Sequence, residues 1–161
     1  MHKTLNLILG LILGLILAAG LLAAPAHAAD GPYDEKADAK AAIGAALAEA
    51  RAAKLPLLVV FGANWCGDCK MLDAAFKTGA SAALMAKSFK VVKVDVGRFD
   101  RNVDIAKAYG VPLKSGIPAV AVLAADGHVL YATRGGELAD ARKMGEAGVH
   151  AFFTQVAAQH R

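Results

Sequence analysis

Both cysteines of this 161-residue chain fall in one short stretch, Trp65-Cys66-Gly67-Asp68-Cys69. Two thiols separated by two residues can close a small disulfide ring, supply half of a metal site, or stand inert. A thiol attacks only as the thiolate, and a free cysteine has a pKa of about 8.5, so a reactive one needs a setting that favours the anion. A helix N-terminus is such a setting, because its unpaired N–H groups and the positive end of its dipole face the sulfur. A purely structural staple is a poor use of the pair, since closing so short a loop restricts the unfolded chain little. A structural zinc site needs four ligands, and beyond the two cysteines the mature chain offers only His128, His150 and His160, scattered over a strand and the last helix. A two-cysteine copper carrier with Met71 as a further soft ligand stays open, with core packing of Met71 as the plainer reading.

The elements around the pair decide its setting. Lys36 to Lys54 is rich in Ala, Glu, Lys and Arg, with Ile43, Leu47 and Ala50 on one stripe. It predicts an amphipathic helix that lies on a sheet, ended by Pro56. Leu57-Leu58-Val59-Val60-Phe61 is a continuous apolar run of strand length, as expected of a strand buried on both faces. After the turn Gly62-Ala63-Asn64, helical spacing resumes with Met71, Leu72, Ala75 and Phe76. Cys66 therefore falls at the start of a helix and Cys69 one turn deeper, an arrangement suited to an attacking thiol and a resolving thiol.

Further along, Ser81 to Lys87 reads as a short helix and Phe89 to Val96 as a second, Val-rich strand, parallel to the first because a helix separates them. Asn102 to Tyr109 is a short helix, and Val111 to Gly116 a loop. Ala119–Leu123 and His128–Thr133 flank Asp126-Gly127, a hairpin signal. Glu146 to Gln159 closes the chain as a helix. The expected class is α/β, with a four-stranded mixed sheet in the order Phe89–Val96, Leu57–Phe61, Ala119–Leu123, His128–Thr133, and helices on both faces. Asp95, Asp100 and Asp104 read as a solvated acidic scatter, and Phe99 and Tyr109 as packing residues.

A strand, then Trp65-Cys66-Gly67-Asp68-Cys69-Lys70 opening a helix, then Gly116-Ile117-Pro118 before a terminal hairpin and helix, resembles the thioredoxin family over roughly Leu57 to Ala158. The resemblance implies a thioredoxin-like fold and thiol–disulfide exchange on protein substrates. Cys66 would be the nucleophile and Cys69 the resolving thiol. Trp65, Gly67 and Asp68 would shape the reactive face, and Pro118, in a cis bond, and Ile117 the substrate groove. Lys93 matches a lysine that thioredoxins keep near the site, and Lys70 is a second possible helper. It implies no bound cofactor and no metal, the Cys66–Cys69 dithiol being the redox group. Thioredoxins carry a buried aspartate in the strand before the motif, where this chain has Val60, and a proline between the cysteines, where it has Asp68. An ionised Asp68 near Cys66 disfavours the thiolate and moves the couple toward reductase or isomerase behaviour and away from strong oxidase. The stretch from Tyr109 to Pro118 is also longer than in thioredoxin, which implies a different groove.

Met1-His2-Lys3, the apolar Leu5–Ala24 and Ala26-His27-Ala28 form the pattern of a secretory signal cleaved after Ala28. Residues 1–28 are thus expected to be a signal peptide and 29–161 one thioredoxin-like domain. The alternative is an uncleaved segment that anchors the domain to the inner membrane, facing the periplasm. Cleavage removes only Lys3 from a net charge of +4, and no basic run follows. Nucleic acid and anionic membrane are therefore not indicated as partners. An exported, periplasmic reductase would draw electrons from a membrane-embedded thiol carrier.

Overall fold

The computed structural model describes residues 31–160, so the signal segment read at 1–28 lies outside the described residues. Strand β1 (Leu57–Gly62) is the centre of a four-stranded sheet, parallel to β2 (Lys90–Asp95) on one side and antiparallel to β3 (Ala119–Leu123) on the other. β4 (Val129–Ala132) pairs antiparallel with the outer side of β3, which gives the expected mixed order β2-β1-β3-β4. Every residue of β1 is buried. This is why the run carries no alternation: both faces of the strand are covered, so neither tolerates polar side chains.

The two faces hold separate apolar layers. Leu57, Val59 and Phe61 pack with Ile43 and Ala50 of helix α1 (Ala39–Ala53) and with Ile105 and Ala106 of α4 (Val103–Ala108). Leu58 and Val60 pack on the opposite side with Leu72 of α2 (Gly67–Ala75), Met85 of α3 (Gly79–Ser88), and Val149 and Phe153 of α5 (Ala141–Gln159). Among the described residues no helix is long and apolar enough to cross a membrane.

Element boundaries shift from the sequence reading, and the helix ends show the local reasons. α1 starts at Ala39 because the Asp38 carboxylate accepts the Ala41 N–H at 3.1 Å and so caps the helix. Its C-cap is Lys54, which adopts a left-handed conformation (φ 56°) before Pro56. The last helix begins at Ala141 rather than Glu146, and Gly145 (φ 67°, ψ 179°) breaks it into a short first turn and a long core-facing part. Glycine reaches that backbone region at little cost. A short 3-10 turn, Leu113–Ser115, lies within the stretch expected to be loop.

Phe153 is fully buried and meets Phe76 edge-on at 4.9 Å and Phe152 at 5.0 Å between ring centroids. Phe153→Ala is expected to destabilise the domain by about 3–5 kcal/mol, the usual cost of an aromatic cavity. Urea unfolding measures this, and a loss below about 1 kcal/mol would mean the layer collapses to fill the space.

Candidate active site

β1 delivers the chain to a turn at Ala63-Asn64-Trp65, where the Cys66 N–H donates to the Ala63 carbonyl at 3.1 Å. Cys66 is the N-cap of α2, with extended backbone (φ −81°, ψ 114°), and its Sγ accepts the Cys69 N–H at 3.1 Å. Sulfur occupies the place where a capping oxygen normally satisfies the first free N–H groups of a helix, so those donors point at it. Cys66 and Cys69 are joined as a disulfide, with Cα atoms 5.2 Å apart. Cys66 keeps 5% of its surface exposed and Cys69 none, so Cys66 is the more accessible residue of the two.

The rim is built from three other segments. Cys66 Sγ lies 3.6 Å from the carbonyl oxygen of Ile117, and the Ile117–Pro118 bond is cis. Trp65 is 51% exposed, donates Nε1–H to the Gly97 carbonyl at 2.8 Å, and meets Phe99 edge-on at 6.0 Å. Phe99 is not the packing residue that the sequence suggested: its backbone is left-handed (φ 67°) and its ring 45% exposed. It forms one wall of a cleft of about 870 Å³ with Val103, Val111, Pro112 and Leu113, and Lys107, Lys114 and Arg134 also line it. Tyr109 does pack, against Phe61 at 6.5 Å.

Two carboxylates near the sulfurs, Asp68 and Asp73, are paired. The Asp68 carboxylate accepts the Arg142 N–H at 2.9 Å and its Nη2–H at 3.1 Å. Burial pushes the Asp68 carboxyl up, but these bonds outweigh it and hold it below the ordinary carboxylate range. The Arg142 guanidinium also lies over Gly67, 3.2 Å from where a Cβ would stand. Asp68 is therefore not the lone charge that the sequence reading assumed, because its field at Cys66 is partly cancelled by Arg142. Lys93, expected near the site from the family resemblance, pairs with the largely buried Asp73 of α2, which also binds Lys77 at 2.7 Å. Burial raises the Asp73 carboxyl, and the hydrogen bonds from Lys77 and Lys93 more than reverse this.

Asp95 also departs from the solvated reading: it is buried, accepts the Gly97 N–H at 3.0 Å, and lies 3.5 Å from Arg101. Burial pushes its carboxyl above the ordinary range, against the pull of Gly97 and Arg101. Lys70 is exposed. Met71 is half-buried and packs with the Leu58 and Val60 layer, and among the described residues no group of three or more His, Cys, Asp or Glu gathers around a possible metal position.

Arg142, Asp73 and Tyr33 reach the site without a sequence signal. Arg142 is 74 residues from Asp68, and Tyr33 is 31 from its partner Asn64. Pairings at such range leave no periodicity. Tyr33 precedes the first element expected from the sequence, yet its side chain is buried and its hydroxyl lies by Gly62 and Cys69.

A thioredoxin-like family profile matches residues 38–125. Thioredoxin 1 of Chlorobaculum tepidum is 36% identical over 89 residues, covering 53% of this chain and 75% of that protein. A disulphide isomerase from Xylella fastidiosa Temecula1 is similar in structure, with a TM-score of 0.76 at 51% identity over 80% of this chain and 98% of its own. The oxidised DsbD C-terminal domain of Neisseria meningitidis shares the fold, with a TM-score of 0.56 at 20% identity over 77% of this chain and 97% of its own.

The Asp68–Arg142 pair can be tested at the sulfur. Asp68→Asn leaves the guanidinium charged beside Gly67 and should lower the Cys66 pKa, while Arg142→Gln bares the carboxylate and should raise it. Each change is expected to be on the order of half a pH unit, because the pair is open to solvent. The double variant should return close to the parent. The pH dependence of iodoacetamide alkylation of the reduced protein reads this out, and four equal values would mean the pair does not act on Cys66.

Proposed function

Because this chain belongs to the thioredoxin-like family, we propose that it is an exported, periplasmic enzyme that exchanges thiols and disulfides on protein substrates, working as a reductase or isomerase. The observation that carries the reading is the placement of Cys66: a helix N-cap sulfur, bonded to Cys69, beside the Ile117 carbonyl and Pro118. A capping sulfur that accepts an N–H is favoured as the anion. An adjacent free carbonyl suits main-chain pairing with an extended substrate.

In the reductive direction the Cys66 thiolate attacks a substrate disulfide. One substrate sulfur leaves as a thiolate and takes up a proton, and the other stays bound to Cys66 as a mixed disulfide. Cys69 then attacks Cys66, which releases the second substrate thiol and forms the Cys66–Cys69 bond. Trp65, Gly67, Asp68, Ile117 and Pro118 shape the surface on which the substrate lies. The apolar cleft beside Phe99 extends that surface, and its cations suit a substrate segment with acidic flanks. No further cofactor enters this scheme.

The isomerase or reductase direction is supported by the 51% identity to a protein described as a disulphide isomerase. The site also does not concentrate positive charge on Cys66, since Arg142 is spent on Asp68. Export is supported by the signal pattern at 1–28. A membrane-embedded thiol carrier would return the domain to its reduced form.

Cys66→Ser is expected to abolish insulin reduction and the refolding of a scrambled disulfide protein. The couple should titrate nearer the thioredoxin value of about −270 mV than the strong-oxidase value of about −120 mV. Retained turnover in Cys66→Ser would overturn the enzyme assignment, and a potential near the oxidase value would overturn the direction.

A further inference from the structure

A buried thiol needs a partner if it is to ionise, and Cys69 is fully buried. Apolar surroundings raise a thiol pKa and slow its attack. The strand beneath the motif offers no help, because position 60 holds a buried valine. A different group fills the space. Tyr33 is 1% exposed, and a Cβ added at Gly62 would fall on its hydroxyl and stand 2.9 Å from Cys69 Sγ. The hydroxyl and the sulfur are therefore neighbours in the gap that the missing Gly62 side chain leaves.

This placement is held from the backbone. The Tyr33 N–H donates to Asn64 Oδ1 at 3.0 Å, and its carbonyl accepts from Asn64 Nδ2 at 2.8 Å. Asn64 belongs to the turn that leads into Cys66, so the ring and the cysteine pair are fixed to one peptide segment.

We propose that the Tyr33 hydroxyl is the hydrogen-bond donor that stabilises the thiolate of Cys69 during resolution of the mixed disulfide. The proposal rests on the assignment of Cys69 as resolving thiol, and it places a neutral group where the resembled family uses a carboxylate. Burial first, then the charges of Asp73 and Asp95, push the phenol above its ordinary range. Tyr33 therefore keeps its proton and acts as a donor and not as a base. The charged groups around it are Asp73 with Lys77 and Lys93 from α2 and β2, and Asp95 with Arg101, Glu35 and Asp100 from the sheet end and loops.

The resolution step balances without another reactant. Cys69 gives its proton to water, and its thiolate, held by the phenol O–H, attacks Cys66 Sγ. The Cys66–Cys69 bond forms as the Cys66–substrate bond breaks. The electron pair leaves on the substrate sulfur, which takes up a proton from water. In the reverse direction the same donor receives the charge that arrives on Cys69.

The test isolates Cys69 as the only thiol by Cys66→Ser and follows thiolate absorbance against pH, with and without Tyr33→Phe. Tyr33→Phe keeps the ring in place and should raise the Cys69 pKa by about one pH unit, roughly a tenfold fall in thiolate at neutral pH. In the two-cysteine protein it should slow release from a preformed mixed disulfide about tenfold and shift that step's pH profile upward, while the alkylation rate of Cys66 stays unchanged. Gly62→Ala, whose Cβ would overlap the hydroxyl and stand 2.9 Å from Cys69 Sγ, should raise it as well. An unchanged Cys69 pKa in either variant overturns the proposal, even if activity falls, because packing alone would then explain the loss. The titration needs no turnover, so it stands or falls apart from the assignment of the enzyme.

Discussion

Burial of β1 on both faces is the constraint on which the rest of the architecture depends. A strand covered on two sides has to lie inside the sheet, and here it takes β2 as a parallel neighbour and β3 as an antiparallel one. Its end at Gly62 is then fixed in space by two ladders and two apolar layers. The turn that follows has little freedom left, and helix α2 starts where its first free N–H groups face Cys66. β3 starts next to this point, at Ala119, so the segment Ile117-Pro118 is carried against the sulfur by the same register. The reactive geometry is in this sense a product of the core: Val59, Phe61 and Leu58 place a sulfur that they do not touch chemically.

Three carboxylates near that point are paired. Asp68 is met by Arg142, Asp73 by Lys93 and Lys77, and Asp95 by Arg101 and a backbone N–H. The result is a reactive face whose local field comes mainly from oriented N–H groups and much less from net charge. Such a field responds weakly to salt, because dipoles at contact distance are less screened than separated surface charges. The cleft beside Phe99 is different: its cations are spread along an open apolar wall, where screening acts fully.

What the sequence displayed and what it hid divide along range. The apolar run at Leu57–Phe61, the spacing of Cys66 and Cys69, Gly116-Ile117-Pro118 and the turn at Asp126-Gly127 are local patterns, and the strand order followed from them. Lys93 was legible as a residue of the sheet but not as the partner of Asp73, since that contact depends on how α2 rotates over β2. Arg142 and Tyr33 were invisible for the same reason, as their contacts join segments 74 and 31 residues apart. Phe99 misled because an aromatic side chain usually marks a core, whereas here it sits on a left-handed loop residue with its ring 45% exposed. Val60 was legible as a departure from the family pattern, while Tyr33, whose hydroxyl lies over Gly62, belongs to a stretch without any periodic pattern.

The break at Gly145 separates two duties within one helix. The turn before it holds Arg142 against Asp68, and the long part after it seats Val149, Phe153 and Val156 in the core. An unbroken helix would transmit any change of side chain at the rim as a rotation of the buried face. With helical geometry broken at Gly145, the turn that carries Arg142 is tied to the layer behind it through the buried Ala141 and not through a continuous helix.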